Sequence, residues 1–381
     1  MINFFHKARL KNAFILAELY TSKKKKTFKE TIEYKRYPNI IDFRNENDYL
    51  MYVFLIPQGM NPAEIEKKEY IFHQVFQNYE IEGDGHRYIL KVFKTELTKE
   101  LKYDYESFKQ HLNGGLPILA GMSMIGKMAT YDMVEHPHLL IAGETGSGKS
   151  VTIRAIITTI LLHMQGKIDL YLGDMKRSEF HVFRNVESVV DVMTDKERLL
   201  KRVNEIKNEL TRRGNLMDKH EVEHIDEYNK IKGVPFEKYI LLAIDEVALL
   251  KKETEIMSIV EEISCIGRAL GVFLLLSMQR PDANVLEGQL KNNLTVRFGF
   301  RHSDKINSNI TLGAGTMADA STIKADKKGQ FYMKSEKTIL LQAPYLPLQE
   351  ARNLLKPFKR KNEGEKGEVS EDFMSLPLFK E

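Results

Sequence analysis

Residues 136–164 read HPHLLIAGETGSGKSVTIRAIITTILLHM, and this stretch decides the fold. HLLIAG is an apolar run of strand length, the glycine-rich turn GETGSGKS follows at 143–150, and SVTIRAIITTIL continues with the spacing of a helix. The turn matches the P-loop pattern, in which glycines let successive backbone N–H groups wrap phosphates at the start of a helix. In that pattern Lys149 reaches the β and γ phosphates and the Ser150 hydroxyl holds Mg²⁺. Gly143, Glu144, Thr145, Gly146, Ser147, Gly148, Lys149, Ser150 and Val151 are therefore the candidate nucleotide-binding residues, with ATP and Mg²⁺ as the cofactors.

Outward from this loop, apolar strands alternate with long helices, the signature of a parallel sheet wound with helices. Strands are expected at HLLIAG, IDLYLGD, SVVDV, YILLAID, VFLLLSM and TVRFGF, and helices at KSVTIRAIITTILLHM, DKERLLKRVNEIKNELTRRGNLMDK and ETEIMSIVEEISCIGRAL. YILLAIDE ends in Asp245 and Glu246, which a parallel sheet brings beside the loop. Asp245 is the expected Mg²⁺ ligand through water, and Glu246, placed to activate an attacking water, is the expected general base. VFLLLSMQRP ends with Gln279 at the same edge, where it can report the state of the γ-phosphate. DMKRSEF adds Asp174 and Lys176 there, for a subunit contact or as surface charge.

Before this region the chain reads as a smaller unit. MINFFHKARLKNAFILAELY is expected as an amphipathic helix with Phe4, Phe5, Ala8, Phe14, Ile15 and Leu19 on its apolar face, packed on the protein in preference to a membrane surface. The run TSKKKKTFKE is expected as a solvated linker, with a phosphate-facing patch as the alternative. Residues 49–95 then read as strand, helix, strand, strand, a small α/β module with no catalytic constellation. The expected division is 1–48 (helix and basic linker), 49–112 (α/β module), 113–350 (ATPase motor) and 351–381 (charged, flexible tail).

Composition narrows the class. At 381 residues and 43% hydrophobic the chain holds a large core, and its formal charge of +4 does not by itself indicate nucleic-acid binding. The lone Cys265, expected as a buried helix residue, excludes an intramolecular disulfide and fits a reducing, cytoplasmic setting. No apolar stretch reaches the roughly 20 residues that span a bilayer.

Several longer segments, in this order, resemble the FtsK/SpoIIIE family of DNA translocases within the HerA-FtsK group. They are LPILAGMSMIGKMATYDMVEHPHLLIAGETGSGKSV, YLGDMKRSEF, ELTRRGNLM with IDEYNK after it, YILLAIDEVALL, and CIGRALGVFLLLSMQRPDANVLEGQLKNNLTVRFGFRHSDKINSNITLG. The resemblance runs from Gly115 to Pro347 and implies a RecA-like motor domain, a hexameric ring and ATP-driven movement of double-stranded DNA. In a ring the nucleotide lies at a subunit boundary, so a neighbour is expected to supply an arginine to the γ-phosphate. Arg268 is the first candidate, with Arg297 and Arg301 as alternatives. DNA contacts are expected to be to phosphates and insensitive to sequence, with Arg212, Arg213, Lys324, Lys327 and Lys328 as contributors. Chromosome-segregating members carry amino-terminal membrane spans and a carboxyl-terminal winged helix. Neither is read here, which points to the compact motors of plasmids, phages and integrative elements. The alternatives are a conjugative coupling protein docking on a relaxase, a nucleotide-gated DNA-binding assembly factor, and a single-strand helicase.

Overall fold

The computed structural model describes residues 2–26, 31–76, 78–83, 85–94, 97, 100–281, 288–314, 316 and 318–360. In chain order the first part holds α1 (Ile2–Leu16), β1 (Thr21–Lys26), β2 (Thr31–Arg36), β3 (Asn39–Asn45), β4 (Tyr49–Leu55), α2 (Ala63–Lys67), α3 (Glu69–Val75), β5 (Tyr79–Gly83) and β6 (Arg87–Phe93). β3, β4, β6 and β5 form an antiparallel four-stranded sheet, and β1 and β2 a separate antiparallel ribbon. The four-stranded sheet is covered by α1 and α3 through a cluster that includes Leu10, Phe14, Phe54, Phe72 and Phe76, with the Phe14 ring centroid 4.9 Å from that of Phe54. The helix thus packs on the protein as expected, and Phe14 and Leu19 are buried as expected. Leu10, Ala13 and Ala17 are buried with them, while Phe5, Ala8 and Ile15 point outward, contrary to expectation. The Phe4 side chain lies outside the described residues. A further correction concerns the run of lysines: 21–26 is a strand, because its backbone pairs with 31–36, and residues 27–30 lie outside the described ones.

The larger part continues with β7 (Leu101–Lys102), α4 (Tyr105–Phe108), β8 (Pro117–Ser123), β9 (Met128–Asp132), β10 (Leu139–Ala142), α5 (Lys149–His163), β11 (Ile168–Asp174), β12 (Val189–Met193), α6 (Lys196–His220), α7 (Ile225–Tyr228) and β13 (Tyr239–Asp245). It ends with α8 (Thr254–Leu270), β14 (Val272–Met278), α9 (Gly288–Asn293), β15 (Val296–Phe300), α10 (Lys305–Leu312), β16 (Gln330–Lys334), β17 (Thr338–Gln342), β18 (Pro344–Tyr345) and α11 (Leu348–Leu355). Of the expected charged tail, 361–381 lies outside the described residues. Ten strands form one sheet in the order β12-β11-β13-β14-β10-β15-β16-β17-β8-β9. From β12 to β15 every neighbouring pair is parallel, and beyond β15 every pair is antiparallel. The mixed α/β architecture is that of a RecA-like P-loop ATPase.

The central strands β13 and β14 are buried at every position, as continuous apolar runs demand when helices cover both faces. Helix α6 starts where the Asp195 side chain accepts the Arg198 N–H, and buries Leu199, Val203, Ile206, Leu210, Arg213 and Met217 along one stripe. Helix α8 buries Ile256, Ile259, Val260, Ile263, Ser264, Gly267 and Leu270. Cys265 is exposed, contrary to expectation. One step past Ser264 is about 100° around the helix, which turns it off the buried stripe toward Gln289 and Asn293.

Candidate active site

All six parallel strands present their carboxyl ends at one edge, and the expected chemistry collects there. β10 runs into the glycine turn and α5 leaves it, with Gly148 at φ 107° as the residue before the helix. A Cβ on Gly148 would stand 2.6 Å from the Gly329 nitrogen, and one on Gly143 would strike the Phe300 side chain. The loop is closed by Ser147 Oγ donating to the Glu144 carbonyl (2.7 Å) and by the Gly329 N–H donating to the Ser147 carbonyl (2.8 Å). Thr145 and Gly146 are exposed at its tip, while Ser150 and Val151 are half-buried in the first turn of α5. Lys149 follows at 6% exposure, and its Nζ is 3.9 Å from Glu246 Oε2, longer than a hydrogen bond.

β14 lies between β10 and β13, so Asp245 and Glu246 arrive one strand away from the loop. Asp245 is 3% exposed and accepts a 2.9 Å hydrogen bond from Ser277 Oγ on β14. Burial pushes the Asp245 carboxyl above its ordinary range, partly offset by Lys149. Burial likewise pulls the Lys149 ammonium down, against the pull of Asp245 and Glu246. Glu246 has left-handed backbone (φ 58°, ψ 59°), a conformation costing a non-glycine residue about 1–3 kcal/mol. Its carboxylate is held by the Lys176 ammonium at 2.6 Å and by the Gln279 N–H, 3.1 Å from both oxygens. Gln279 is therefore joined to Glu246 through its backbone.

Lys176 is thus paired within the chain and is not a free surface charge, and Asp174 is not a surface charge either. Asp174 is fully buried at the end of β11, opposite Asp245 in register, and accepts the N–H groups of Ser178, Glu179 and Phe180. It folds the turn that presents Lys176. Ser277 was not anticipated; a single hydroxyl in the apolar run VFLLLSM was its only trace.

The three candidate arginines occupy different places. Arg301 follows β15 and pairs with Glu144 at 2.7 Å, beside its own loop. Arg297 is spent on the carbonyls of Leu294, Thr311 and Lys291. Arg268 is exposed at the end of α8 with Nε 3.1 Å from the Val134 carbonyl, at the amino edge of the sheet and away from its own loop. The proposed DNA-contact set is also divided. Lys324 and Lys328 are exposed on the turn that leads to Gly329 and docks on the nucleotide loop. Arg212 is held by Glu209 and Glu237 at the opposite edge. Arg213 is 3% exposed and donates to the Leu270 and Lys238 carbonyls (2.8 and 2.7 Å), so it is a scaffold residue closed to phosphate.

Residues 100–241 match the FtsK/SpoIIIE family model. That segment is similar to the FtsK/SpoIIIE family. The chain is 34% identical over 212 residues to the DNA translocase FtsK of Helicobacter pylori strain J99, covering 53% of this chain and 25% of that one. It is 32% identical over 216 residues to the DNA translocase FtsK of Staphylococcus aureus strain Mu50, covering 53% and 27%. The chain therefore spans about a quarter of the length of these relatives. Among solved structures it is similar to the pCW3 conjugation coupling protein TcpA, in its monomer form with ATPγS, at 27% identity with a TM-score of 0.60, over 85% of this chain and 94% of that one. The fold is also shared with EssC of Geobacillus thermodenitrificans (18% identity, TM-score 0.61, 69% and 52% covered). Among the described residues, no helix is long and apolar enough to cross a membrane.

Proposed function

We propose that this chain is the ATP-hydrolysing motor of a double-stranded DNA translocase, working as a hexameric ring in the cytoplasm. The observation that carries the reading is the convergence of Lys149, Asp245 and Glu246, each under a tenth exposed, at the carboxyl edge beside a phosphate-binding turn of the FtsK/SpoIIIE type. The motor is assigned to 113–350, with 1–48 and 49–112 as an amino-terminal helix and α/β module; of the tail expected at 351–381, residues 351–355 complete α11, whose Ala351 and Leu355 lie in the core of the larger part. The backbone of 143–151 would cradle the phosphates, and Lys149 would pair with the β and γ groups. The donor set fits Mg²⁺, since Ser150 stands in the first turn of α5 and Asp245 has only one oxygen bound by Ser277. Bound there, the ion supplies charge neutralisation on the phosphates. Glu246 would accept a proton from the attacking water once freed from Lys176, and the Gln279 backbone would carry that change to β14. Arg268 faces away from its own loop, as required of a residue that acts on a neighbour's nucleotide.

One observation supports a second reading of the same motor. The structural likeness to the coupling protein TcpA extends over 85% of this chain and 94% of that one, so the DNA moved would be that of a conjugative or other mobile element, with a relaxase as a candidate partner. The test is steady-state ATP hydrolysis with no DNA, linear duplex and single strand, with Lys149→Ala as the blank. Strong stimulation by duplex of any sequence is expected. Stimulation by single strand alone would replace the duplex motor with a helicase, and no stimulation by either would leave a partner-activated factor.

A further inference from the structure

The ribbon of β1 and β2 stands apart from both larger sheets and is charged unlike anything else in the chain. Residues 21–36 contain seven Lys and Arg against two acidic residues, a net +5, whereas the whole chain carries +4, so everything outside the ribbon is net −1. Among the described side chains, Lys23, Lys24 and Lys25 on β1 and Lys35 and Arg36 on β2 are exposed, and Tyr34 is 53% exposed between them. Opposite residues share a face, so Lys23 with Tyr34 and Thr21 with Arg36 line one side, and Lys24 with Glu33 and Ser22 with Lys35 line the other. Glu33 is the only acidic residue in the two strands. The basic residues of α6 are a useful contrast, because Arg212 and Arg213 are committed to Glu209 and Glu237. At its base the ribbon is braced by the Lys35 ammonium 4.2 Å from the centre of the Tyr20 ring, which packs 5.5 Å from that of Tyr37.

Two six-residue strands make a rod roughly 20 Å long with strands about 4.8 Å apart. A two-stranded ribbon of this size enters the major groove of B-DNA, about 12 Å wide, and rows of lysine on both faces reach the phosphates on either side. An isolated two-stranded ribbon is marginal in water, and a polyanion that neutralises like charges crowded along one strand stabilises it. We infer that the β1–β2 ribbon is a duplex-DNA contact outside the motor sheet, binding phosphates with little regard for sequence. This rests on the translocase reading and adds a DNA-holding arm to it.

The experiment uses the full chain and a fluorescent 40-bp duplex, with anisotropy read at several salt concentrations. Lys23→Gln/Lys24→Gln/Lys25→Gln is compared with wild type, and Lys23→Arg/Lys24→Arg/Lys25→Arg serves as the conservative control. Each phosphate contact contributes about 0.9 to the slope of log affinity against log salt. The glutamine variant is therefore expected to lose about 10-fold or more in affinity near 0.1 M salt, with a slope shallower by about 2–3. The arginine variant keeps both, and DNA-free ATP hydrolysis is unchanged in all. Lysines on a free edge also discourage strand pairing between molecules. Lys23→Glu/Lys24→Glu/Lys25→Glu keeps that protection and is expected to bind duplex even more weakly than the glutamine variant. Wild type binding duplex with an affinity and slope that the glutamine variant matches would overturn the ribbon contact and leave the motor reading standing. Failure of wild type to bind duplex at all would overturn both. Vesicles of phosphatidylcholine with 30% phosphatidylserine form the last arm. If the glutamine variant loses the vesicles and keeps the duplex, the ribbon is a membrane contact and the inference is wrong.

Discussion

The two edges of the parallel sheet bury charge in opposite ways. At the amino edge Arg213 is buried among protein acceptors, with two carbonyls and Glu209 taking its N–H groups. At the carboxyl edge Lys149 is buried almost as deeply, yet the Glu246 carboxylate oxygen stands 3.9 Å from its Nζ, and Asp245 has a hydroxyl on one oxygen alone. A buried polar group normally has its partners, and one left short marks either strain or a missing ligand. Arg213 at the amino edge is thus scaffold, and the carboxyl edge is a site arranged for something that brings negative charge to Lys149 and positive charge to Asp245.

The largest expected effect tests that division at the carboxyl edge. Lys149→Ala should reduce ATP turnover to the rate without protein, while urea unfolding shows stability unchanged or raised, because an under-paired buried cation has been removed. Glu246→Gln should lower turnover by about 10²–10⁴-fold, the range for loss of a general base, while fluorescent ATP still binds and rings accumulate. Turnover near wild type in the glutamine variant would move the base to another residue.

The amino edge should answer the opposite way. Arg213→Met leaves the Leu270 and Lys238 carbonyls without their donor and Glu209 with Arg212 alone, and breaking such a buried cluster costs about 3 kcal/mol. Denaturant unfolding should show that loss, while the fraction still folded keeps wild-type ATP affinity. A large drop in ATP affinity with unchanged stability would erase the distinction between the edges.

How much of this was legible depended on whether a feature was local. YILLAID and VFLLLSM were readable as strands because burial on both faces demands unbroken apolar runs. Lys149, Asp245 and Glu246 were readable because the loop pattern and a parallel sheet leave few places for them. The antiparallel extension through β16, β17, β8 and β9 was not, since short half-exposed strands such as TILLQ gain their state from distant partners. The same holds for TSKKKK, which has no apolar alternation and becomes a strand only through its pairing. The Lys176–Glu246 ion pair joins side chains 70 positions apart and depends on the turn folded by Asp174, which no spacing announces.

Acid should weaken the scaffold in a defined window. Burial holds His138 and His302 down to about 4 from the ordinary 6.5, so the unfolded chain binds protons that the folded one refuses. Stability is therefore full above pH 6.5 and falls as pH drops through the window to 4, by up to about 3 kcal/mol for each histidine. His138 accepts the Leu274 N–H and His302 meets Thr311, so both sit within the packing of the sheet and its helices. Denaturant midpoints at pH 7 and pH 5 should show the decline, and His302→Gln should flatten it. A midpoint indifferent to pH across this range would mean that neither ring is buried neutral.

The smallest effect is the most discriminating, because it concerns one hydroxyl at the boundary between scaffold and site. Ser277 is fully buried in β14 and its Oγ donates to Asp245. Ser277→Ala removes one hydrogen bond to a charged group, worth about 1.5–3 kcal/mol when fully expressed. Were Ser277 merely scaffold, the loss would appear as stability. Because Asp245 is under-paired by design, the alanine frees a carboxylate that a cation can still satisfy, so stability should fall by no more than about 1 kcal/mol. What is lost is aim: a carboxylate free to rotate holds its ligand less well, so turnover should drop about 10-fold and the Mg²⁺ concentration for half-maximal rate should rise. Ser277→Thr, which keeps the hydroxyl, should recover most of the rate. A full stability loss with normal turnover would place Asp245 on the scaffold side of the division and leave Glu246 alone to define the site.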